Sequence, residues 1–369
     1  MGGKRNCHYG YGSILDINNM NSEILVSVVI PTYNAEKFIK DCIEATIRQS
    51  YRNIEIIVVD DGSSDSTLEI CKTYADRDDR IRVYTHSNAG VSATRNRGIR
   101  HAKGDFIVFF DADDYPEDDI IQRYMEANEQ WKNKHVAMIV CGMYVDNLYN
   151  KNGGSIERTL ESAHGYIRGE NYLLGRSSAA TLSWLELFNF VTNKLYDCRV
   201  IKNNSIAFDD DIKIGEDLKF NLDYLDKRDG FIGMINSPLY HYVKRTDSSL
   251  SISYHDGDIE DTKEIYRRLV TWEATQESAT EDNVLIVKRI YITDWVRRLT
   301  AFYVMHHKGE YRALVKQKLR EELRSSEFQT ILTEVYRAKK ISSIRYFSLK
   351  IGSFEIFFLL RGIYQIIKG

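Results

Sequence analysis

Proline is scarce, three in 369 residues. Pro31 and Pro116 both stand just beyond a predicted strand, where a residue that cannot join a ladder belongs. Cysteine is scarce and scattered. Cys7, Cys42, Cys71, Cys141 and Cys198 are odd in number and form no C-x-x-C pair. That excludes a zinc-site spacing and a disulfide framework, and reads as reduced thiols in a cytosolic protein. No excess of one charge exists either: a net charge of −3 is too near neutral to imply a nucleic-acid partner. Residues 1–23 hold no apolar core of signal-peptide length, and Asn6 stands where a myristoylation signal needs Ser or Thr. This stretch reads as an N-terminal extension. Internal repeats and low-complexity tracts are absent, and the length suits a full α/β domain with something appended.

What is present, from Ile24 onward, is an alternation of strand and helix. Ile24–Ile30 is apolar and β-branched, and residues 36–50 carry Phe38, Ile39, Cys42, Ile43 and Ile47 at helical spacing. Ile54–Val59 reads as a second buried strand. Ser66 with Glu69 forms a capping-box pattern ahead of Leu68, Cys71 and Ala75. Ile81–Tyr84 reads as a strand, residues 91–102 as a helix and Asp105–Phe110 as a strand. The β-α-β-α-β-α-β order predicts a parallel sheet with right-handed crossovers, the nucleotide-binding type of half-domain. Val136–Cys141, Phe231–Ile235 and Leu239–Val243 are expected strands, Asn150–Ser155 a loop and Glu216–Leu225 a short helix. From about Ile259 the chain turns helical, with Val284, Val287, Tyr291, Trp295, Leu299 and Phe302 on one stripe.

The fourth strand organises the rest. Its run Phe106–Phe110 leads straight into Asp111, Asp113 and Asp114. Clustered carboxylates repel one another, and an oxygen-only donor set suits a hard cation such as Mg²⁺ or Mn²⁺. In an open α/β sheet this position is the ligand crevice; the alternative is a solvated acidic turn capping the helix near Pro116. The first strand ends in Pro31-Thr32-Tyr33-Asn34, where an aromatic ring could stack on a nucleobase and Asn34 could cap the next helix. The second ends in Asp60-Asp61-Gly62-Ser63-Ser64-Asp65, a carboxylate placed to accept a uracil imide N–H beside a glycine where backbone must come close. Asn88-Ala89-Gly90 then leads into Ala93-Thr94-Arg95-Asn96-Arg97-Gly98, a helix start whose arginine suits phosphate or carboxylate.

Together V-S-V-V-I-P-T-Y-N, I-V-V-D-D-G-S-S-D, A-T-R-N-R-G and F-F-D-A-D-D, from about Val26 to Asp114, resemble the family 2 glycosyltransferases. These are inverting, nucleotide-sugar-dependent enzymes of the GT-A fold. The resemblance implies an α/β, Rossmann-like fold with a mostly parallel central sheet and an appended C-terminal helical region. Residues 24–255 would form the catalytic domain, with 24–115 as nucleotide-binding half, 116–255 as acceptor-binding half and 256–369 as helices. It implies that Pro31, Tyr33 and one or both of Asp60 and Asp61 hold the uridine of a UDP-sugar. Arg95 would lie near the nucleotide or the acidic cluster, with Asp111 and Asp113 forming the D-x-D at ribose and metal. Gly215-Glu216-Asp217-Leu218-Lys219-Phe220 is similar to the family's E-D motif, with Asp217 as catalytic base and Glu216 as the fallback. An acidic pair at a helix start is otherwise an ordinary dipole arrangement. His241-Tyr242 with Lys244, Arg245 and Ser248–Ser251 is similar to a segment that closes over the diphosphate. His241 would be a further metal ligand, although a lone histidine near a strand end is commonly structural.

Residues 341–369 mix large apolar side chains with Arg345, Lys350, Glu355, Arg361 and Lys368, so no run is long enough to span a bilayer. Lys350, Arg361 and Lys368 fall together on a helical wheel. Two readings stand: an interfacial membrane helix, or a helix packed on the catalytic domain or on a second copy of the chain. The resemblance implies a saccharide or lipid-linked saccharide acceptor, in surface polysaccharide synthesis at the cytoplasmic face of the membrane. The competing functions are a nucleotidyltransferase, whose Gly-rich basic loop after the first strand is missing here, and a non-catalytic partner in a glycosyltransferase complex. Intact Asp111, Asp113 and Asp217 weigh against the second.

Overall fold

The computed structural model describes residues 24–151, 155–162, 170–245, 257–277, 280–304 and 309–352. Strands β1 (Val26–Thr32) and β2 (Ile54–Asp60) are buried at every position. That explains their largely β-branched sequences, since a strand covered on both faces has no solvent side to alternate toward, and the interrupting Ser27 and Glu55 satisfy each other by a 2.6 Å hydrogen bond. With β3 (Ile81–Thr85) and β4 (Phe106–Phe109) they form a parallel sheet in the order β3-β2-β1-β4. Helices α1 (Ile39–Ile47), α2 (Thr67–Ala75) and α3 (Val91–His101) make the crossovers. The expected α/β architecture is the observed one.

The prolines differ from expectation. β1 runs through Pro31, which stands opposite Val59. Pairing with β4 has already ended at Val29, so Pro31 is flanked on one side only, a position proline tolerates. Pro116 closes the two-residue β5 (Tyr115–Pro116) on the sheet's outer edge.

The second half of the sheet is longer than its sequence suggested. β6 (Val136–Lys151) continues ten residues past the expected end at Cys141, pairing with β7 (Ser155–Ser162) across the expected loop, whose residues 152–154 lie outside the described residues. The two strands expected near 231–243 are one, β10 (Phe231–Arg245), parallel to β6, with register shifts on both sides of Pro238. Proline cannot fill a ladder position with a donor, so the strand bulges there rather than ending. Short β8 (Tyr172–Leu174) pairs with β10, and β9 (Lys194–Asp197) runs antiparallel between β4 and β6, joining the two halves.

Helix α4 (Ile120–Gln130) packs on β6 and β10 and α5 (Ser178–Trp184) lies outside them, whereas α6 (Cys198–Asn203) packs on β4 and β9 and α7 (Glu216–Lys227) on Tyr196 of β9. Beyond the sheet come α8 (Asp258–Ala274), α9 (Glu281–Val304), α10 (Glu310–Arg324), α11 (Ser326–Arg337) and α12 (Ser343–Lys350). The expected stripe of α9 is buried at Val287, Tyr291, Trp295, Leu299 and Phe302, whereas Val284 is 38% exposed. Trp295, Phe302, Leu319, Phe328, Leu332 and Leu349 belong to a second apolar cluster, separate from the sheet's core. α8 serves both, through Ile259 in the second cluster and Ile265, Leu269 and Trp272 in the first. Among the described residues no helix is long and apolar enough to cross a membrane. Of the proposed interfacial segment, residues 353–369 lie outside the described residues.

Candidate active site

Parallel register brings the strand-end motifs to one edge. Thr32 lies opposite Asp60, Asp60 opposite Thr85, and the Phe110 amide donates to the Val29 carbonyl at 3.0 Å. Tyr33 leaves β1 51% exposed. Asn34 adopts φ 46° and does not cap α1 as expected. Its Oδ1 accepts from the Ser64 amide at 2.8 Å and its own amide donates to Ser63 Oγ at 2.9 Å, so it ties the two loops together. Nor does Ser66 form a capping box. Asp65, one residue earlier, serves instead: its Oδ1 takes the Thr67 amide at 3.0 Å.

Asp60 and Asp61 are both buried, and their oxygens already hold loops. Asp60 accepts from the Ser63 amide at 3.2 Å and from Thr85 Oγ1 at 2.9 Å. Asp61 accepts the Ala89 and Gly90 amides at 2.7 and 2.9 Å, one on each oxygen, and so carries the loop that starts α3. Gly62 answers the expected need for close approach. It has φ +71°, and a Cβ there would lie 2.8 Å from the His86 carbonyl oxygen.

The centre of the site is Arg95. It is buried on α3, its Nη2 2.9 Å from Asp111 Oδ1, its Nη1 2.9 Å from Asp217 Oδ1 and 3.4 Å from Glu216 Oε1. A planar guanidinium with donors on several edges can join three acids that arrive from β4 and α7. Asn96 grips the main chain of Phe208 through both its side-chain oxygen and nitrogen, at 2.8 and 2.9 Å. The Phe208 ring lies under the guanidinium, 5.3 Å from its carbon, and stacks on Phe220 of α7. One cation in direct contact with three acids leaves the cluster short of positive charge. Burial pushes the Glu216 carboxyl up, with Asp217 adding to the rise, while Arg95 opposes it. Burial likewise pushes Asp217 up against Arg95.

Asp217 Oδ2 is held by the Val191 amide at 3.2 Å. The loop carrying Val191 rests on residues that sequence reading missed. Lys194 Nζ, fully buried, donates to the carbonyls of Leu187 and Phe190 and to Asn193 Oδ1. Burial draws its ammonium down to about 7, with Asp217 opposing. Three acceptors meeting three N–H bonds nevertheless make the ammonium the form this pocket is built for. Asn221 Nδ2 donates to the carbonyls of Phe188 and Phe190. The available signal was Asn193-Lys194 leading into the apolar Leu195-Tyr196, because polar residues at a buried strand need partners.

At the β4 end, the Asp111 amide donates to Tyr240 Oη at 3.0 Å and Asp114 Oδ1 accepts the Val243 amide at 2.8 Å. Asp113, between them, is exposed. The expected metal role of His241 does not fit its surroundings. Its Nδ1 lies 3.1 Å from Asp146 Oδ2 and its Nε2 2.9 Å from Glu117 Oε1, with the rings of Tyr115 and Tyr144 stacked on either side. Both nitrogens are engaged, so His241 braces β10 against β6 and β5. Lys244 is exposed at the end of β10, its Nζ 5.9 Å from the Tyr242 ring. The side chain of Arg245 and all of Ser248–Ser251 lie outside the described residues.

Among solved structures, TarS 1–349 of S. aureus in complex with UDP shares this fold. Its TM-score is 0.63 at 19% identity, covering 93% of this chain and 91% of that one. Sheet order, acidic strand ends and appended helices thus define a protein of the GT-A class. The model for Glycosyl transferase family 2 matches residues 27–203. The uncharacterized glycosyltransferase EpsJ of Bacillus subtilis is 32% identical over 249 residues, 67% of this chain and 69% of that protein. Putative glycosyltransferase EpsH of the same organism is 27% identical over 311 residues, 81% of each. The chain belongs to glycosyltransferase family 2.

Proposed function

We propose that this glycosyltransferase moves a sugar from a UDP-sugar to an acceptor hydroxyl with inversion at the anomeric carbon, Asp217 acting as general base. The observation that carries the reading is the double grip of Arg95, which ties Asp111 of the D-x-D to Asp217 in one cluster. Donor side and base side of a displacement are thereby held in fixed relation. The acceptor O–H proton passes to Asp217, the acceptor oxygen bonds to the anomeric carbon, and the carbon–oxygen bond to UDP breaks with its electron pair left on the diphosphate. Arg95 and the Val191 amide each use one lone pair of Asp217, and each oxygen keeps another for the acceptor proton. Sequence alone suggests a weak carboxylate base. Burial raises Asp217 above an ordinary aspartate, so its basicity contributes as well as its position.

Among the described residues no three acid, histidine or cysteine side chains form a ready-made metal cage. The exposed Asp113 and part-exposed Asp111 are hard oxygen donors of the kind that would hold Mn²⁺ or Mg²⁺. A divalent ion there would supply Lewis-acid stabilisation of the leaving group. The exposed ring of Tyr33 suits stacking on uracil, flanked by Pro31 and by the remaining lone pairs of Asp60 or Asp61. Because the Val243 amide is pinned to Asp114, the next residue, Lys244, emerges beside the D-x-D turn, where it and Arg245 would meet the diphosphate. UDP as the nucleotide is supported by the fold neighbour, which was solved with UDP and with UDP-GlcNAc. A saccharide or lipid-linked acceptor, in surface polysaccharide synthesis, suits the family.

The test is a screen of nucleotide sugars for release of the nucleotide with Mn²⁺ or Mg²⁺, beside thermal-shift binding of UDP and GDP. Release of UDP from one sugar, lost in Asp113→Ala, is expected. Binding of GDP in preference to UDP would overturn the donor assignment, and the absence of nucleotide binding under every condition would overturn the enzyme reading.

A further inference from the structure

We infer that α8 is the strut that sets the position of Asp217, with Asp261 as its positioning residue; the inference rests on Asp217 being the base. The match to the family model ends at residue 203, so it covers neither α7 nor α8.

One face of α8 reads along the chain that delivers the acidic pair. Asp261 Oδ2 accepts the amides of Lys213 and Ile214 at 2.9 and 3.1 Å, fixing the two residues before Gly215. One turn on, Ile265 lies where a Cβ on Gly215 would stand, 2.7 Å from its Cγ1. Gly215 takes φ +89°, so the chain turns sharply into α7 against that side chain. Another turn on, Arg268 Nε donates to Asp223 Oδ1 at 3.1 Å, and the same guanidinium reaches Asp226. Positions 261, 265 and 268 follow steps of four and three, the spacing of one helical face. The loop, the turn and the body of α7 are therefore all indexed to a single helix.

The rest of α8 is anchored in the C-terminal helices. Asp258 pairs with Arg298 of α9 at 3.0 Å with both side chains buried, Tyr266 stacks on Tyr291 of α9 with centroids 4.2 Å apart, and Lys263 meets Glu322 of α10 at 2.7 Å. A buried pair of this kind resists sliding, because separating it strands a charge away from water. The C-terminal region thus bears on the catalytic carboxylate, although none of these helices carries it. Removing the Asp261 acceptor frees the amides of the two residues just before the turn, and a displacement of the order of 1 Å at a base costs about a hundredfold in rate.

The decisive comparison is Asp261→Ala with Asp261→Asn in the full chain, because both amides use one oxygen and the asparagine amide oxygen can replace it. Hydrogen exchange across residues 212–218, UDP affinity, and kcat and KM for the donor are measured for each. In Asp261→Ala exchange rises and kcat falls about tenfold to a hundredfold, with UDP affinity and donor KM within about twofold of wild type; Asp261→Asn restores both readouts. Raised exchange with unchanged kcat overturns the inference, as does an asparagine variant as impaired as the alanine one, or a loss that resides in UDP affinity. If Asp261→Ala does not fold, Arg268→Gln at the outer end of the same face is expected to lower kcat about threefold at constant UDP affinity, and an unchanged kcat overturns the inference. Near-normal turnover in Asp217→Asn would instead remove the base assignment, and the exchange readout at 213–214 stays independent of that.

Discussion

Asp60-Asp61 and Glu216-Asp217 are both adjacent acid pairs beside a glycine, buried except for the half-buried Glu216, yet they are treated in opposite ways. At the end of β2 the acids meet the amides of Ser63, Ala89 and Gly90 and the hydroxyl of Thr85, with the imidazole Nδ1 of His86 3.5 Å from Asp61. Those contacts hold loops, and only the lone pairs left over would serve the proposed uridine contact. At the start of α7 the acids share one guanidinium with Asp111, and burial raises both. Matched acids make scaffold, and under-compensated acids keep a lone pair and a raised basicity for a reaction.

The largest break in that comparison is Asp217→Asn. It keeps the hydrogen bond from Arg95 but removes the proposed proton acceptor, so kcat falls by about a hundredfold to ten-thousandfold while UDP affinity holds. Turnover near wild type would transfer the role to Glu216.

Arg95→Met comes next. It leaves Asp111, Glu216 and Asp217 without their direct cation, a loss of about 3–5 kcal/mol in folding stability. Denaturant melts measure this, and a cost below about 1 kcal/mol would show that the acids protonate and reorganise instead. Asp61→Ala sits on the scaffold side. Freeing two amides in a part-buried loop should cost about 2 kcal/mol, and the pH dependence of kcat should keep its wild-type shape. A changed profile would join the β2 end to the catalytic cluster and dissolve the distinction.

The scaffold was easier to read from sequence than the reactive cluster. β1, β2 and β4 announce themselves because strands covered on both faces are written as mainly apolar runs, broken here only by the paired Ser27 and Glu55, and their polar ends fall where the ladder stops. Arg95, Asp111 and Asp217 were each visible, but their meeting was not. It joins α3, β4 and α7 over separations of 16 and 122 residues, and no local pattern encodes it. The same holds for Asp261, which finds its amides 48 and 47 residues away. Local signals also misled where a longer-range partner won. Asn34 looked like a cap and serves as a brace between loops; His241 looked like a ligand and is spent on Asp146 and Glu117. The region between 142 and 215 reads poorly because its stabilising groups, Asn193, Lys194 and Asn221, bind main-chain carbonyls and so impose no periodicity on their neighbours.

The smallest effect tests the charge imbalance itself. Burial, then Asp217, pushes the Glu216 carboxyl from about 4.5 up to about 8. A carboxyl whose pKa is higher folded than unfolded binds its proton more tightly in the native state, so native stability is lost as pH rises through that window. Glu216→Gln cannot titrate. Whatever hydrogen bonding the amide gains or loses is the same at every pH, so only the trend matters. Relative to wild type, the variant should gain stability progressively between about pH 5 and about pH 9, read from melting curves at matched ionic strength. A difference that stays flat across that range would mean that Arg95 and Lys194 already balance the three acids. The contrast with Asp60 and Asp61 would then be one of geometry and not of charge.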